Sequence, residues 1–88
     1  MSAPVTIYST RFCGSCVRAK ALLEAKHVPY TEVLVDLDSE KRVEMVQKSG
    51  RRTVPQIFIG ARHVGGFDDL YALERAGGLE PLLAGRAD

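Results

Sequence analysis

Two short β-branched and aromatic runs, PVTIYS at residues 4–9 and YTEVLV at 30–35, frame the strong helix formers SCVRAKALLEAK at 15–26. A strand, a helix and a strand in that order leave few folding routes. The helix has to cross over a sheet and return the chain to lie parallel to its first strand, with a right-handed connection. Ala19, Leu22 and Leu23 fall on one stripe of that helix and Arg18, Lys20 and Glu24 off it, so a single face is available to cover the sheet. Pro29 closes the helix in this reading.

The remainder adds to the same sheet. DLDSEKRVEMVQKSG, residues 36–50, predicts a second helix with Asp38 or Ser39 as its N-cap, Val43 and Val46 facing inward and Gly50 as its stop. PQIFIGARHVGG predicts a hairpin with strands at 56–59 and 62–64 around Gly60 and Ala61. FDDLYALERAGG predicts a third helix with Asp68 near its start and Gly77 just past its end, and a last helical piece follows at 79–84. The expected fold class is α/β: a four-stranded mixed sheet flanked by helices, in the order βαβαββα plus a short C-terminal helix. At 88 residues the chain supports one core, and a single domain over 1–88 is expected.

Composition narrows the function. Twelve Lys+Arg against eleven Asp+Glu give a net charge of +1 with the basic residues dispersed, which is no footprint for nucleic acid. No apolar run is long enough to span a membrane. The start, MSAPVTIYST, has neither a basic leader nor an apolar segment, so a cytoplasmic protein is expected.

The chemistry is concentrated in STRFCGSC, because Cys13 and Cys16 are the only cysteines and sit on the turn from the first strand into the first helix. Half a metal site, a structural staple and a reagent are the three readings of such a pair. A disulfide between them closes too small a loop to stabilise the fold much. Zinc needs four ligands, and the two histidines, His27 and His63, are isolated and lack knuckle spacing; they read as surface or strand-edge residues. Inert burial fits poorly with Gly14 and Ser15, which suggest an exposed turn. A reagent fits best. The turn lies at the carboxyl end of a strand, where α/β sheets place their chemistry, and at a helix N-terminus, where free N–H groups favour a thiolate. Such a position lowers a thiol from about 8.5 to as little as about 3.5. Cys13, ahead of the first turn, is the expected nucleophile, and the more enclosed Cys16 is the expected resolving thiol.

Three segments in this order, CxxCxxAKALL from Cys13, SGRRTVPQIFI from Ser49 and HVGGFDDLYALERAGGLEPLL from His63, resemble the glutaredoxins, most closely the small bacterial dithiol type. The resemblance covers nearly the whole chain. It implies a thioredoxin-like fold and a glutathione-dependent thiol–disulfide oxidoreductase that reduces protein–glutathione mixed disulfides and protein disulfides, with glutathione as co-substrate and disulfide-containing proteins as partners. It also implies a cis Pro55, with Thr53 and Val54 before it, Val54 offering its backbone to the cysteinyl part of glutathione. Gly66, Phe67, Asp68 and Asp69 would then take the γ-glutamyl end, the helix N–H groups binding its carboxylate and Asp68 or Asp69 its ammonium.

Two positions depart from the family pattern. Thr10 stands where a Lys is common, which leaves Arg11 as the expected replacement and Arg51 or Arg52 as further candidates. Gly14 and Ser15 stand where Pro and Tyr are usual. Some relatives without that Pro bridge a [2Fe–2S] cluster between two subunits, so the resemblance carries an alternative in which Cys13 is a cluster ligand in a dimer. Otherwise a monomer without bound metal is expected.

Overall fold

A computed structural model describes residues 3–85 of the chain. The elements are β1 (Val5–Ser9), α1 (Gly14–Ala25), β2 (Thr31–Leu34), α2 (Ser39–Ser49), β3 (Gln56–Ile59), β4 (Arg62–Gly65), α3 (Phe67–Arg75) and α4 (Leu79–Leu83). Each lies within two residues of its expected place. The sheet order is β2-β1-β3-β4, with β1 parallel to β2 and the pairs β1–β3 and β3–β4 antiparallel.

Because side chains alternate along a strand, β1 feeds two layers at once. Val5 and Ile7 join Ile57 and Ile59 on one face, under Ala19 and Leu23 of α1, Leu70 of α3 and Leu79, Leu82 and Leu83 of α4. Tyr8 and Phe58 point to the other face, where they meet Val35 and Met45 of α2. The sheet is thus covered by three helices on one side and one on the other. Two hydrogen bonds tie the elements together: the Tyr8 hydroxyl donates to Glu44 Oε2 at 2.5 Å, joining β1 to α2, and Ser9 Oγ donates to Glu32 Oε2, also at 2.5 Å, joining β1 to β2. Burial and the Glu44 charge push the Tyr8 phenol up to about 12.

The helix ends follow local chemistry. Asp38 caps α2 by accepting from the N–H groups of Glu40 and Lys41, and Gly50 ends it in the left-handed region at φ 72°. Helix α1 stops within a residue of its expected end, by a local turn. It closes at Ala25, before Pro29, in a turn where His27 N–H donates to Glu24 O at 3.0 Å and Val28 N–H to Leu23 O at 2.9 Å. His27 takes the left-handed position, φ 58°, that glycine more often fills.

One expectation is corrected. Val43 faces solvent, and Met45 is the buried residue of α2, with Val46 half-buried. Two residues of helix turn the side chain by about 200°, so Val43 and Met45 cannot share a face. Packing against Tyr8, Val35 and Phe58 takes the side of α2 that carries Met45, with Val46 beside it.

The last residue of β4, Gly65, is buried at φ 120°, and a Cβ there would lie 2.8 Å from Asp69 Cγ. Gly65→Ala is expected to cost about 2 kcal/mol or more through combined strain and overlap, read as a lowered urea midpoint with an unchanged slope.

Candidate active site

The strand-to-helix turn places Cys13 at the N-cap of α1 in an extended conformation, φ −144° and ψ 109°. From there its Sγ receives the Cys16 N–H at 3.1 Å, while the first backbone bond of the helix runs from Val17 N–H to Cys13 O at 3.1 Å. The sulfur therefore takes one of the amide hydrogens that a helix start leaves without a partner. A hydrogen bond from a backbone amide, at the positive end of the helix dipole, favours the charged form of a thiol. Cys13 is half-buried and Cys16 is 1% exposed, which separates an accessible sulfur from an enclosed one. The two are joined as a disulfide with their Cα atoms 5.2 Å apart.

Opposite Cys13 stands the loop that enters β3. The Val54–Pro55 peptide bond is cis, as the resemblance implied, and Val54 O lies 3.9 Å from Cys13 Sγ. A cleft of about 230 Å³ opens beside this pair. The loop contributes Thr53, Val54 and Pro55 to its wall, the start of α3 contributes Gly66, Phe67, Asp68 and Asp69, and Ser15 and Arg51 complete it. The fold thus gathers every expected binding residue except Arg11.

Arg11 is occupied elsewhere. Its Nε lies 2.8 Å from Asp36 Oδ2, and its backbone N–H also donates to that oxygen at 3.3 Å. The guanidinium holds the Asp36 carboxyl below its ordinary range. The cation in the cleft wall is Arg51, whose Nη1 is 3.1 Å from Asp69 Oδ2. Arg52 is exposed and does not line the cleft.

The two aspartates divide their work. Asp69, three residues into α3, accepts the Gly66 N–H at 2.9 Å and pairs with Arg51. Both contacts lower its carboxyl below the usual value, the backbone hydrogen bond most. Asp68 is exposed and makes no hydrogen bond or ion pair among the described residues, so it alone has a carboxylate free to receive an incoming ammonium.

Neither histidine joins the cysteines. His27 sits past the far end of α1, roughly 18 Å along its axis. His63 lies on the edge strand β4, its Nε2 2.7 Å from Gln56 Oε1. Among the described residues no group of three or more His, Cys, Asp or Glu converges to hold a metal ion. Gln56 was not singled out in the sequence. Its polar side chain inside the apolar run PQIFI was the available signal, and it is fully buried beneath the Pro55 loop.

A CxxC pair at the first helix of this sheet, facing a cis-proline across a cleft, defines a thioredoxin-like dithiol redox protein. The glutaredoxin family model matches residues 5–64. Glutaredoxin 3 of Escherichia coli strain K12 is 57% identical over 81 residues, spanning 92% of this chain and 98% of that protein. A solution structure of glutaredoxin from Brucella melitensis superposes with a TM-score of 0.83 at 51% identity, covering 94% of this chain and 90% of the other. The crystal structure of a buckwheat glutaredoxin–glutathione complex gives 0.84 at 34% identity over 92% of this chain and 76% of its own. The chain belongs to the glutaredoxin family, and it is a thiol–disulfide oxidoreductase of the glutathione-dependent kind. Among the described residues no helix is long and apolar enough to cross a membrane.

The Asp69 contacts set a pH dependence. Its folded carboxyl titrates below the ordinary value of 3.8, so its contribution to stability is complete above that value and is lost as pH falls through the folded one. Asp69→Asn keeps an acceptor for Gly66 but removes the charge. The variant's stability is expected to fall less steeply than the parent's as pH drops below the ordinary carboxyl value of 3.8, measured by urea unfolding.

Proposed function

We propose that Cys13 is the nucleophile and Cys16 the resolving thiol of this oxidoreductase, and that the cleft between the Pro55 loop and α3 binds glutathione. The observation that carries this is the Cys16 N–H directed at the one accessible sulfur, with an open cleft immediately beside it. The Cys13 thiolate attacks the glutathionyl sulfur of a mixed disulfide; a Cys13–glutathione disulfide forms, and the substrate leaves as a thiolate that takes a proton from solvent. A glutathione thiolate then attacks the bound glutathionyl sulfur, which frees Cys13 and yields glutathione disulfide. On a protein disulfide, Cys13 first becomes joined to one substrate sulfur and releases the other. Cys16 attacks Cys13, displaces the second substrate thiolate and leaves the Cys13–Cys16 disulfide, which two glutathiones reduce in turn.

The tripeptide lies along the Thr53–Pro55 loop in this reading. Val54 N–H and C=O pair with its cysteinyl unit as a strand edge would. The N–H groups of Phe67 and Asp68, the next two after Gly66, whose own N–H is taken by Asp69, receive the γ-glutamyl carboxylate, and the Asp68 carboxylate receives the ammonium. Arg51, balanced by Asp69, supplies the positive charge that Thr10 does not. A substrate protein has to bring its sulfur to Cys13, beside Phe12, which is 90% exposed, and the exposed Val17. These side chains support docking of apolar residues next to a substrate cysteine.

Both cysteines and the whole cleft come from one chain, which supports a monomer in which residues 1–88 act as one domain. The need for a reduced glutathione pool supports the cytoplasm as its place. Nothing in the fold or the cleft favours the cluster-bridging alternative.

Cys13→Ser is expected to abolish turnover of both substrate types. Cys16→Ser is expected to keep reduction of a small glutathionyl disulfide and to lose reduction of protein disulfides; a glutathione-coupled assay with each substrate reads both, and loss of both activities in Cys16→Ser refutes the assignment. Phe12→Ser is expected to lower kcat/KM about fivefold on a protein disulfide, the worth of about 1 kcal/mol of apolar contact, with the small substrate unaffected.

A further inference from the structure

Gln56 is 0% exposed, yet it carries an amide with two donors and an acceptor. All of its described bonds lead to two places. Its Nε2 donates to Thr53 O at 3.0 Å and to Thr53 Oγ1 at 3.2 Å. Its Oε1 faces His63 Nε2 at 2.7 Å. Since the amide nitrogen is committed to Thr53, the amide oxygen must accept, and His63 must donate from Nε2. The imidazole is fixed in turn by stacking on Phe58, with centroids 4.9 Å apart at 34°, and Phe58 is its cross-strand partner in the β3–β4 ladder.

The consequence runs through one peptide plane. Thr53 C=O and Val54 N–H are the two ends of the same planar unit, so a bond that holds the first also aims the second. Accepting a hydrogen bond at the carbonyl further polarises that N–H as a donor. Resting on the glutathione reading given above, we infer that His63 is a positioning residue for the reaction: through Gln56 it locks the Thr53–Val54 peptide so that Val54 N–H points into the cleft at the cysteinyl carbonyl of glutathione. His63 does not line the cleft and touches no reacting atom. Its action is on binding and not on the chemical step, and both the neutral Nε2–H form and the imidazolium donate, so it is no pH switch. Burial and the Arg51 charge keep the ring toward the neutral form, against the opposing pull of Asp69.

The test is steady-state kinetics with the mixed disulfide of glutathione and 2-mercaptoethanol as the varied substrate, beside urea unfolding of each variant. His63→Leu removes the donor and leaves Gln56 Oε1 buried without a partner, a loss of stability that a purely structural role would also produce. The double variant Gln56→Leu/His63→Leu separates the two. It replaces both partners by apolar groups and is expected to regain stability relative to His63→Leu, while KM stays about three- to tenfold above the parent with kcat within about twofold. His63→Gln, which offers an amide N–H near the Nε2 position, is expected to bring KM back. If His63→Leu does not fold, the double variant and His63→Gln decide alone. A normal KM in the stable double variant, a raised KM that His63→Gln does not repair, or a loss of kcat with KM unchanged overturns the inference. Absence of saturable turnover of this substrate by the parent protein is a different failure, that of the glutathione reading itself, and shows before any variant is compared.

Discussion

The antiparallel ladder between β1 and β3 decides where the chemistry sits. Tyr8 lies opposite Gln56 at its end, so the chain leaving β1 toward Cys13 and the chain entering β3 from Val54 and Pro55 come out side by side. No residue of the loops alone could bring Cys13 Sγ to 3.9 Å from Val54 O; the strands do it. The other edge of β1 is held by parallel pairing with β2, and Ala19 and Leu23 press α1 onto the same face as Ile7 and Ile57. That packing points the N-terminus of α1, with its unpartnered amides, at the gap between the loops. Burial of apolar side chains supplies the energy, and the amide that meets the sulfur is its by-product.

On the side away from the cleft the cysteine loop is pegged by ions. Arg11 pairs with Asp36 just past β2, and Lys20 of α1 lies 2.8 Å from Glu32 of β2, which also accepts from Ser9. Lys20 and then Ser9 draw the Glu32 carboxyl below its ordinary range. These pairs are partly exposed and individually worth little in stability, but the Arg11–Asp36 pair draws Arg11 away from the cleft. With Arg11 drawn to β2, the cleft receives Arg51 from the loop before Pro55. Asp69 partly neutralises it while capping α3, which leaves Asp68 as the unpaired acid. The result is a small polar cleft with one balanced cation and one free carboxylate, a charge pattern suited to a zwitterionic peptide end.

The fold was legible because β-branched and aromatic runs alternate with runs of strong helix formers along the chain, with turn and cap residues where they change. Asp38 and Gly50 mark α2 by cap chemistry that works locally, and the Gly60–Ala61 turn marks the hairpin. Val43 was misjudged because α2 is mostly polar, and with few apolar positions its rotation is decided by which of them meets Tyr8, Val35 and Phe58 after folding, which is Met45. The end of α1 was placed to within a residue, but the turn that closes it, with His27 in the left-handed region ahead of Pro29, leaves no compositional mark. In the site, the cysteines, the Pro55 loop and the α3 start were readable as contiguous motifs. The choice among Arg11, Arg51 and Arg52 was not, since it depends on which acid lies nearest after folding. Gln56 escaped for the same reason: one partner, Thr53, is in the loop before it, and the other, His63, reaches it only across the β3–β4 hairpin.

The Gly14–Ser15 pair shows how a sequence departure can be absorbed by a neighbour. Without bulky side chains at these positions, Arg18, one helical turn on, folds back over them. Its Nη1 lies 3.9 Å from where a Gly14 Cβ would stand, its Nη2 is 3.4 Å from Ser15 Oγ, and its Cζ is 5.7 Å from the centre of the Phe67 ring. Ser15 and Phe67 both line the cleft, so the guanidinium that contacts them lies beside its rim without lining it. A ring there would offer a face for stacking; the guanidinium offers donors and charge, and its stacking on Phe67 limits the freedom a long side chain would otherwise have to lose. Arg18 makes no ion pair among the described residues, so unlike Arg11 and Arg51 it brings its charge to the rim without a counter-charge already spent on it. The smaller active-site turn thus has a guanidinium over it, and the Cys16 amide still reaches Cys13 Sγ at 3.1 Å.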